Sequence, residues 1–213
     1  MFCVGLPFIK CNRNLKIIGQ YDEPPDFIYY LFYKEGYPVL AGAFLIIQLT
    51  RRIQMIPKNY RPNVGIMLIN QEGLVWMGKR INSDDYAYQW QMPQGGIDAG
   101  ETPIEAAWRE LYEETGLKKN SVNFFVESSE WLCYTFPSWI KRAPFIGQCQ
   151  KWFLFQFLGK DSDFKLDVHP EEIEFSTFQW VEASKISDMV VPFKKEVYQK
   201  VVQEFKPFLK MEK

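Results

Sequence analysis

The sequence predicts an α/β fold in which a mixed β-sheet carries helices on both faces, an α/β/α sandwich. Three observations predict it: several short runs rich in β-branched and aromatic residues, two segments whose apolar residues recur at helical spacing, and no internal repeat or low-complexity tract. At 213 residues, 47% hydrophobic and 24% charged, the chain is long enough for one well-buried domain and an extension, and too short for a second full domain.

Residues 1–54 differ in texture from the rest, which sets expected boundaries of 1–54 for an N-terminal extension and 55–213 for the domain. The extension holds an apolar run, Pro38 to Leu49, whose length of about a dozen residues falls short of the ~20 that span a bilayer. Arg51 and Arg52 follow it where a secretory signal would place small residues at a cleavage site, so no stable membrane partner is expected. The four cysteines, Cys3, Cys11, Cys133 and Cys149, form no CxxC pair, and a reduced, cytoplasmic protein fits best. The lone histidine, His169, cannot by itself build a His-based metal site or a Ser-His triad. Net charge is −1, so a polyanionic partner would have to be held by a local basic patch or by a metal.

From Tyr60 the elements follow in order. Residues 63–70 and 74–80 read as strands joined by the turn Gln71-Glu72-Gly73, a hairpin signal. Residues 81–90 read as a loop. The stretch Thr102-Pro103-Ile104-Glu105 is a capping box with proline at the first helical position, and Gly116 followed by Leu117 is a helix stop, which fixes a helix between them. Runs at 122–128, 130–136, 151–159 and 175–182 have strand character, and a last helix over roughly 192–209 carries Val197, Val201 and Phe205 at four-residue steps.

In the first helix Ile104, Ala107, Trp108 and Leu111 form one stripe for the sheet, and Glu110, Glu113 and Glu114 form a second arc beside it. Their i,i+3 and i,i+4 spacings set like charges side by side at about 0.2–0.5 kcal/mol per pair. Glu113 and Glu114 also sit near the helix C-terminus, where the macrodipole disfavours anions. A solvated acidic face is one reading. The other is a hard divalent cation held by carboxylate oxygens, with the small Ala106 one turn earlier leaving room for a ligand.

The full spacing carries more than the acids alone. It reads Gly95-Gly96, then Glu101, then Arg109-Glu110-Leu111-Tyr112-Glu113-Glu114-Thr115-Gly116-Leu117, and a chance match to seven fixed residues falls far below about one in a million. This pattern resembles the Nudix hydrolase family. The resemblance implies a Nudix-type sandwich and a divalent metal, Mg²⁺ first with Mn²⁺ or Zn²⁺ as alternatives. It makes Gly95, Glu110, Glu113 and Glu114 metal ligands, with Glu110 or Glu114 as the catalytic carboxylate. Gly96, Glu101, Arg109 and Gly116 become structural residues of the motif, Arg109 and Glu101 as an ion pair.

The flanking stretches 60–70, 90–98, 148–157, 174–181 and 191–205 look like the bacterial RNA pyrophosphohydrolases, also called (di)nucleoside polyphosphate hydrolases. That resemblance implies 5′-triphosphorylated RNA, met as a single-stranded end, or a dinucleoside polyphosphate as partner. It adds Glu174 as a further metal ligand. Arg61, Lys79, Arg80 and Lys151 are the cations available to a polyphosphate, and Trp90, with Tyr88, either stacks on a base or belongs to the core. Rival expectations are hydrolysis of dinucleoside tetraphosphates or other nucleotides with little action on RNA, and a non-catalytic nucleotide-binding module. The stretch beginning at Met55, "MIPKNYRPNVG", looks like the family's ordinary start, so Met55 is expected to be the true initiator. The intact mass of the native protein tests this, and a protein that retains residues 1–54 sinks it.

Overall fold

The computed structural model describes residues 56–81 and 88–209, and in addition the backbone of a two-stranded ribbon, β1 (Phe32–Lys34) and β2 (Tyr37–Val39). The chain divides into two compact units, Met1–Ile53 and Gln54–Lys213. Apart from that ribbon the first unit lies outside the described residues, as does Met55. Among the described residues no helix is long and apolar enough to cross a membrane.

The second unit is built on a mixed sheet of β3 (Tyr60–Ile69), β4 (Val75–Arg80), β5 (Trp90–Gln91), β6 (Gln94–Gly96), β7 (Val122–Glu127), β8 (Leu132–Thr135), β9 (Gly147–Phe157) and β10 (Phe175–Val181). Its main path runs β10-β4-β3-β9-β7, with β5 on β4, β6 on β3 and β8 on β9. The central pair, β3 and β9, is parallel in register from Tyr60↔Gly147 to Ile69↔Gln156. The expected hairpin survives only at its tip, where Ile69 pairs with Val75. Beyond that point β4 turns to β10 and β5, and β3 pairs with β6 and β9. The turn chemistry was local and legible. The splaying depends on partners about 10 to 100 residues away, which no local signal reports.

Two helices close the faces, α1 (Pro103–Thr115) and α2 (Lys195–Phe205). Side chains alternate across the strands and divide the core accordingly. Val64, Ile66, Leu68, Trp76, Phe153 and Phe155 pack with Ala106, Ala107 and Leu111 of α1. Met67, Ile69, Val75, Met77, Trp152 and Leu154 pack with Val197, Tyr198, Val201 and Phe205 of α2. Helices on opposite faces of a mixed sheet make the α/β/α sandwich. Ala106 is itself fully buried in the α1 core, which corrects the expectation that it leaves room for a ligand.

The capping box forms as the sequence predicts: Glu105 N donates to Thr102 Oγ1, and Thr102 N donates to Glu105 Oε2. Gly116 ends α1 at φ 73°, its N–H donating 2.7 Å to Tyr112 O. The last helix is shorter than the 192–209 expected, with single 3₁₀ turns at Pro192–Lys194 and Lys206–Phe208 on either side. Two of the four cysteines depart from the expected reduced state, while Cys3 and Cys11 lie outside the described residues. Cys133 and Cys149 sit directly opposite each other in the β8–β9 ladder and are joined as a disulfide.

Candidate active site

β3 and β9 begin at the same end of the sheet, and there a cavity of about 230 Å³ opens. Its lining comes from every quarter of the domain: Arg61 and Asn63 of β3, Arg80 at the end of β4, Gln94 and Gly95 of β6, Glu114 of α1, Tyr134 of β8, Gln148 of β9, Glu174 just before β10, and Phe193 and Lys194 just before α2. Four cations, Arg61, Arg80, Arg142 and Lys194, thus share one small space with two carboxylates.

Helix α1 meets the floor through the two glycines. A Cβ on Gly95 would overlap the Glu110 carboxylate, and one on Gly96 would overlap the Arg61 guanidinium. These positions are glycine because side chains occupy the space where a Cβ would stand. Arg109 then ties the loop to the helix. Its Nε and Nη2 donate to the two oxygens of Glu101 at 3.0 and 2.9 Å, Nη2 also donates to Gly96 O at 2.8 Å, and Nη1 donates to Glu110 at 2.8 Å and Glu113 at 2.9 Å. The repulsion among the glutamates is therefore partly offset by one guanidinium, whose planar fork suits several carboxylates at once.

Burial raises the pKa of Glu110, opposed by the hydrogen bond from Arg109. Glu114 is shifted further. Part of its surface reaches the cavity, but its carboxyl group is densely enclosed by protein. Burial first, then the charges of Glu110 and Glu174, pushes its pKa well above the ordinary carboxylate range. The Gln94 N–H donates to it at 3.0 Å. Glu174 is paired with Arg80 at 2.8 Å. Lys194 is buried, donating to Gln91 Oε1 at 2.7 Å and Gln94 Oε1 at 2.9 Å, and desolvation followed by the Arg80 charge lowers its pKa to about 7.

As placed, no three Asp, Glu, His or Cys side chains among the described residues converge to hold a metal ion, and Arg109 engages Glu110 and Glu113. The donors nevertheless suit one. They are all oxygen, and an enclosed carboxylate facing two others is a place where a hard divalent cation replaces repulsion with attraction.

Two expected substrate residues lie elsewhere. Lys151 is buried on β9 with its Nζ on Ser128 O and near Glu127, so it holds the β7–β8 turn and does not line the cavity. Trp90 packs against the α2 core and is also absent from the lining. Both lie in stretches that resemble the family, yet side-chain direction on a strand turns them away from the cavity. Asn63, Gln91, Gln94, Tyr134, Phe136, Ile140, Arg142, Gln148, Phe193 and Lys194 escaped the sequence reading. The signal available for Gln148 was its place, with Gln150, as a polar residue near the start of a long central strand.

A family model for the NUDIX domain matches residues 59–201, from the start of β3 into α2. The chain belongs to the Nudix family. Curated Nudix relatives include the RNA pyrophosphohydrolase of Agrobacterium fabrum, 45% identical over an alignment of 157 residues that covers 68% of this chain and 91% of that protein. The RNA pyrophosphohydrolase of Cereibacter sphaeroides is 44% identical over 163 residues, 75% of this chain and 98% of that one. Among solved structures, the dihydroneopterin triphosphate pyrophosphohydrolase of Escherichia coli aligns with a TM-score of 0.50 at 19% identity, covering 68% of this chain and 99% of its own, a likeness of fold alone.

Proposed function

We propose that this Nudix protein removes pyrophosphate from the 5′-triphosphate end of RNA, with dinucleoside polyphosphates as a second substrate class. The observation that carries the reading is the cavity itself: four cations for a polyphosphate set against enclosed carboxylates for a cation. The names of its curated relatives support the same reading. In the reaction, water adds to a phosphorus of the chain, a P–O anhydride bond opens, pyrophosphate departs and the water's proton passes to a carboxylate.

Glu114 is our choice for that carboxylate, with Glu110 as the alternative, because Glu114 is the acid of α1 that lines the cavity. Glu110, Glu113, Glu114, Glu174 and the Gly95 carbonyl are the groups that would hold a divalent cation, Mg²⁺ being our assignment. When bound, that ion would neutralise phosphate charge and acidify the attacking water. Arg61, Arg80 and Arg142 orient the anionic chain, and Phe136, Ile140 and Phe193 give the cavity an apolar wall for what the phosphates are attached to.

The test is a competition. The full chain with Mg²⁺ receives equimolar 5′-triphosphorylated RNA and diadenosine tetraphosphate, and products of both are followed over time, with a chelated control. Faster release of pyrophosphate from RNA is expected. Faster cleavage of the dinucleotide would move the reading to nucleotide clearance, and equal rates with and without chelator would remove the metal from it.

A further inference from the structure

We propose that the Cys133–Cys149 disulfide is a reversible redox site which, by closing or releasing one wall of the cavity, sets how tightly the phosphorylated substrate is held. The bond closes a loop of 16 residues in sequence separation. Five residues of that loop, Tyr134, Phe136, Ile140, Arg142 and Gln148, line the cavity. One covalent link therefore governs the only part of the lining, among the described residues, that is carried by a segment anchored at both ends to β9.

Beside the link, the strand pairing that holds that segment is short. β8 is four residues long and pairs only with β9, over Leu132↔Gln150 to Thr135↔Gly147. Its further ties are the Tyr134 hydroxyl on Gln148, the Tyr60 hydroxyl with Thr135 Oγ1 at 2.7 Å, Phe136 N on Ile146 O and Ile146 N on Asn59 O, both at 2.8 Å, and the packing of Leu132, Tyr134 and Phe136 in the core under α2. Short edge strands with few partners open at low free energy, and a cross-link restricts that opening. The Tyr134 ring stands against Phe193 and 5.6 Å from Lys194 Nζ, so movement of β8 is felt at the cavity directly.

The two sulfurs also differ in access. Cys133 is exposed and Cys149 is fully buried. A dithiol reductant can reach the first. Its thiolate attacks Cys133 Sγ, Cys149 leaves as thiolate and takes a proton, and the reductant's second thiol displaces Cys133 as the reductant closes its own disulfide. Two electrons and two protons pass from the dithiol to the protein, and a disulfide-form exchanger runs the sequence backwards. Where disulfides occur in reducing compartments they are usually transient or sensing, which suits an exposed sulfur beside a site.

The experiment uses the full chain, wild type and Cys133→Ser, each treated with dithiothreitol or with oxidised glutathione. It reads alkylated thiols by peptide mass, amide exchange across 132–136, and kcat and KM on 5′-triphosphorylated RNA. Oxidised wild type should show Cys133 and Cys149 protected from alkylation. Reduction should expose both, speed exchange across β8 by about tenfold or more, and raise KM by roughly fivefold or more with kcat little changed. Cys133→Ser should match the reduced protein under both treatments. Free thiols under oxidant, identical exchange in the two states, or a redox effect that persists in Cys133→Ser would each overturn the proposal. The kinetic arm rests on the proposed hydrolase reading. If the chain turns over no RNA, that reading fails by itself, and the alkylation and exchange results still decide the redox site.

Discussion

Two glycines and one arginine determine how the acids of α1 meet the cavity. Gly95→Ala places a methyl where the Glu110 carboxylate stands, against backbone that is fixed in β6 by Val64. The helix must shift or the carboxylate must leave, and overpacking of this kind costs about 1–3 kcal/mol. We expect lower stability in chemical denaturation together with a large loss of kcat. Glu114→Gln separates these two effects. It keeps the shape and removes an enclosed charge, so kcat should fall by about 10²–10⁴-fold while thermal stability in chelator stays at or above wild type. Near wild-type turnover in that variant would remove Glu114 from the mechanism. Lys194 gives a pH signature. Its folded pKa of about 7 lies below the ordinary 10.5, so between those values the unfolded chain holds a proton that the folded chain lacks. Stability of the chelated protein should therefore fall as pH drops from about 10 toward 7, by up to about 1.4 kcal/mol per pH unit, and level off below. Lys194→Met should lack that slope in urea unfolding; equal slopes would mean that Lys194 stays charged. Glu110, Glu113, Glu114 and Arg109 were legible in the sequence because one helix fixes their spacing. Lys194, Arg142 and Gln94 were not, since they meet only after the sheet has formed.

At the scale of elements, α1 is specified locally and positioned globally. The capping box and the left-handed Gly116 were readable because each needs residues only a few positions apart. Thr102→Ala removes the acceptor for Glu105 N and the start of the box, which costs about 0.5–2 kcal/mol, or about 1–8 °C in Tm for a domain of this size. The site lies toward the other end of the helix and is held by Arg109, so kcat should stay within about twofold, on the ground that distant sites act independently. A large loss of turnover would show that the helix start sets the geometry of Glu110 and Glu114. The strands were legible as strands from their composition, yet their partners were not. β9 was expected from 151 and begins at 147, because its first residues Gly147, Gln148, Cys149 and Gln150 are polar or small, and only pairing with β3 and β8 makes them strand. The same four residues carry the Cys149 link and the Gln148 wall, which is why both escaped a reading based on hydrophobic pattern.

For the whole molecule, a net charge of −1 is a poor guide to what the chain attracts. Among the described residues Arg61, Arg80, Arg142 and Lys194 converge at one end of the sheet, where the lining holds only two acids, Glu114 and Glu174. A polyphosphate entering that cavity exchanges its condensed counterions for arginine side chains, so affinity should depend on salt through those residues and not through the overall field. For a single-stranded substrate each neutralised phosphate contributes about −0.7 to the slope of log K against log salt, and three arginines predict a slope of roughly −2. Arg142 is the informative one to remove, since it lies on the loop closed by the disulfide and has no counterpart among the cations expected from the sequence. Arg142→Ala should weaken binding of 5′-triphosphorylated RNA to an active-site variant such as Glu114→Gln and make the slope shallower by about 0.7. Binding of the 5′-hydroxyl form of the same RNA should change less. If the slope is unaltered, Arg142 does not touch phosphate, and the wall carried by β8 acts through shape and its aromatic residues alone.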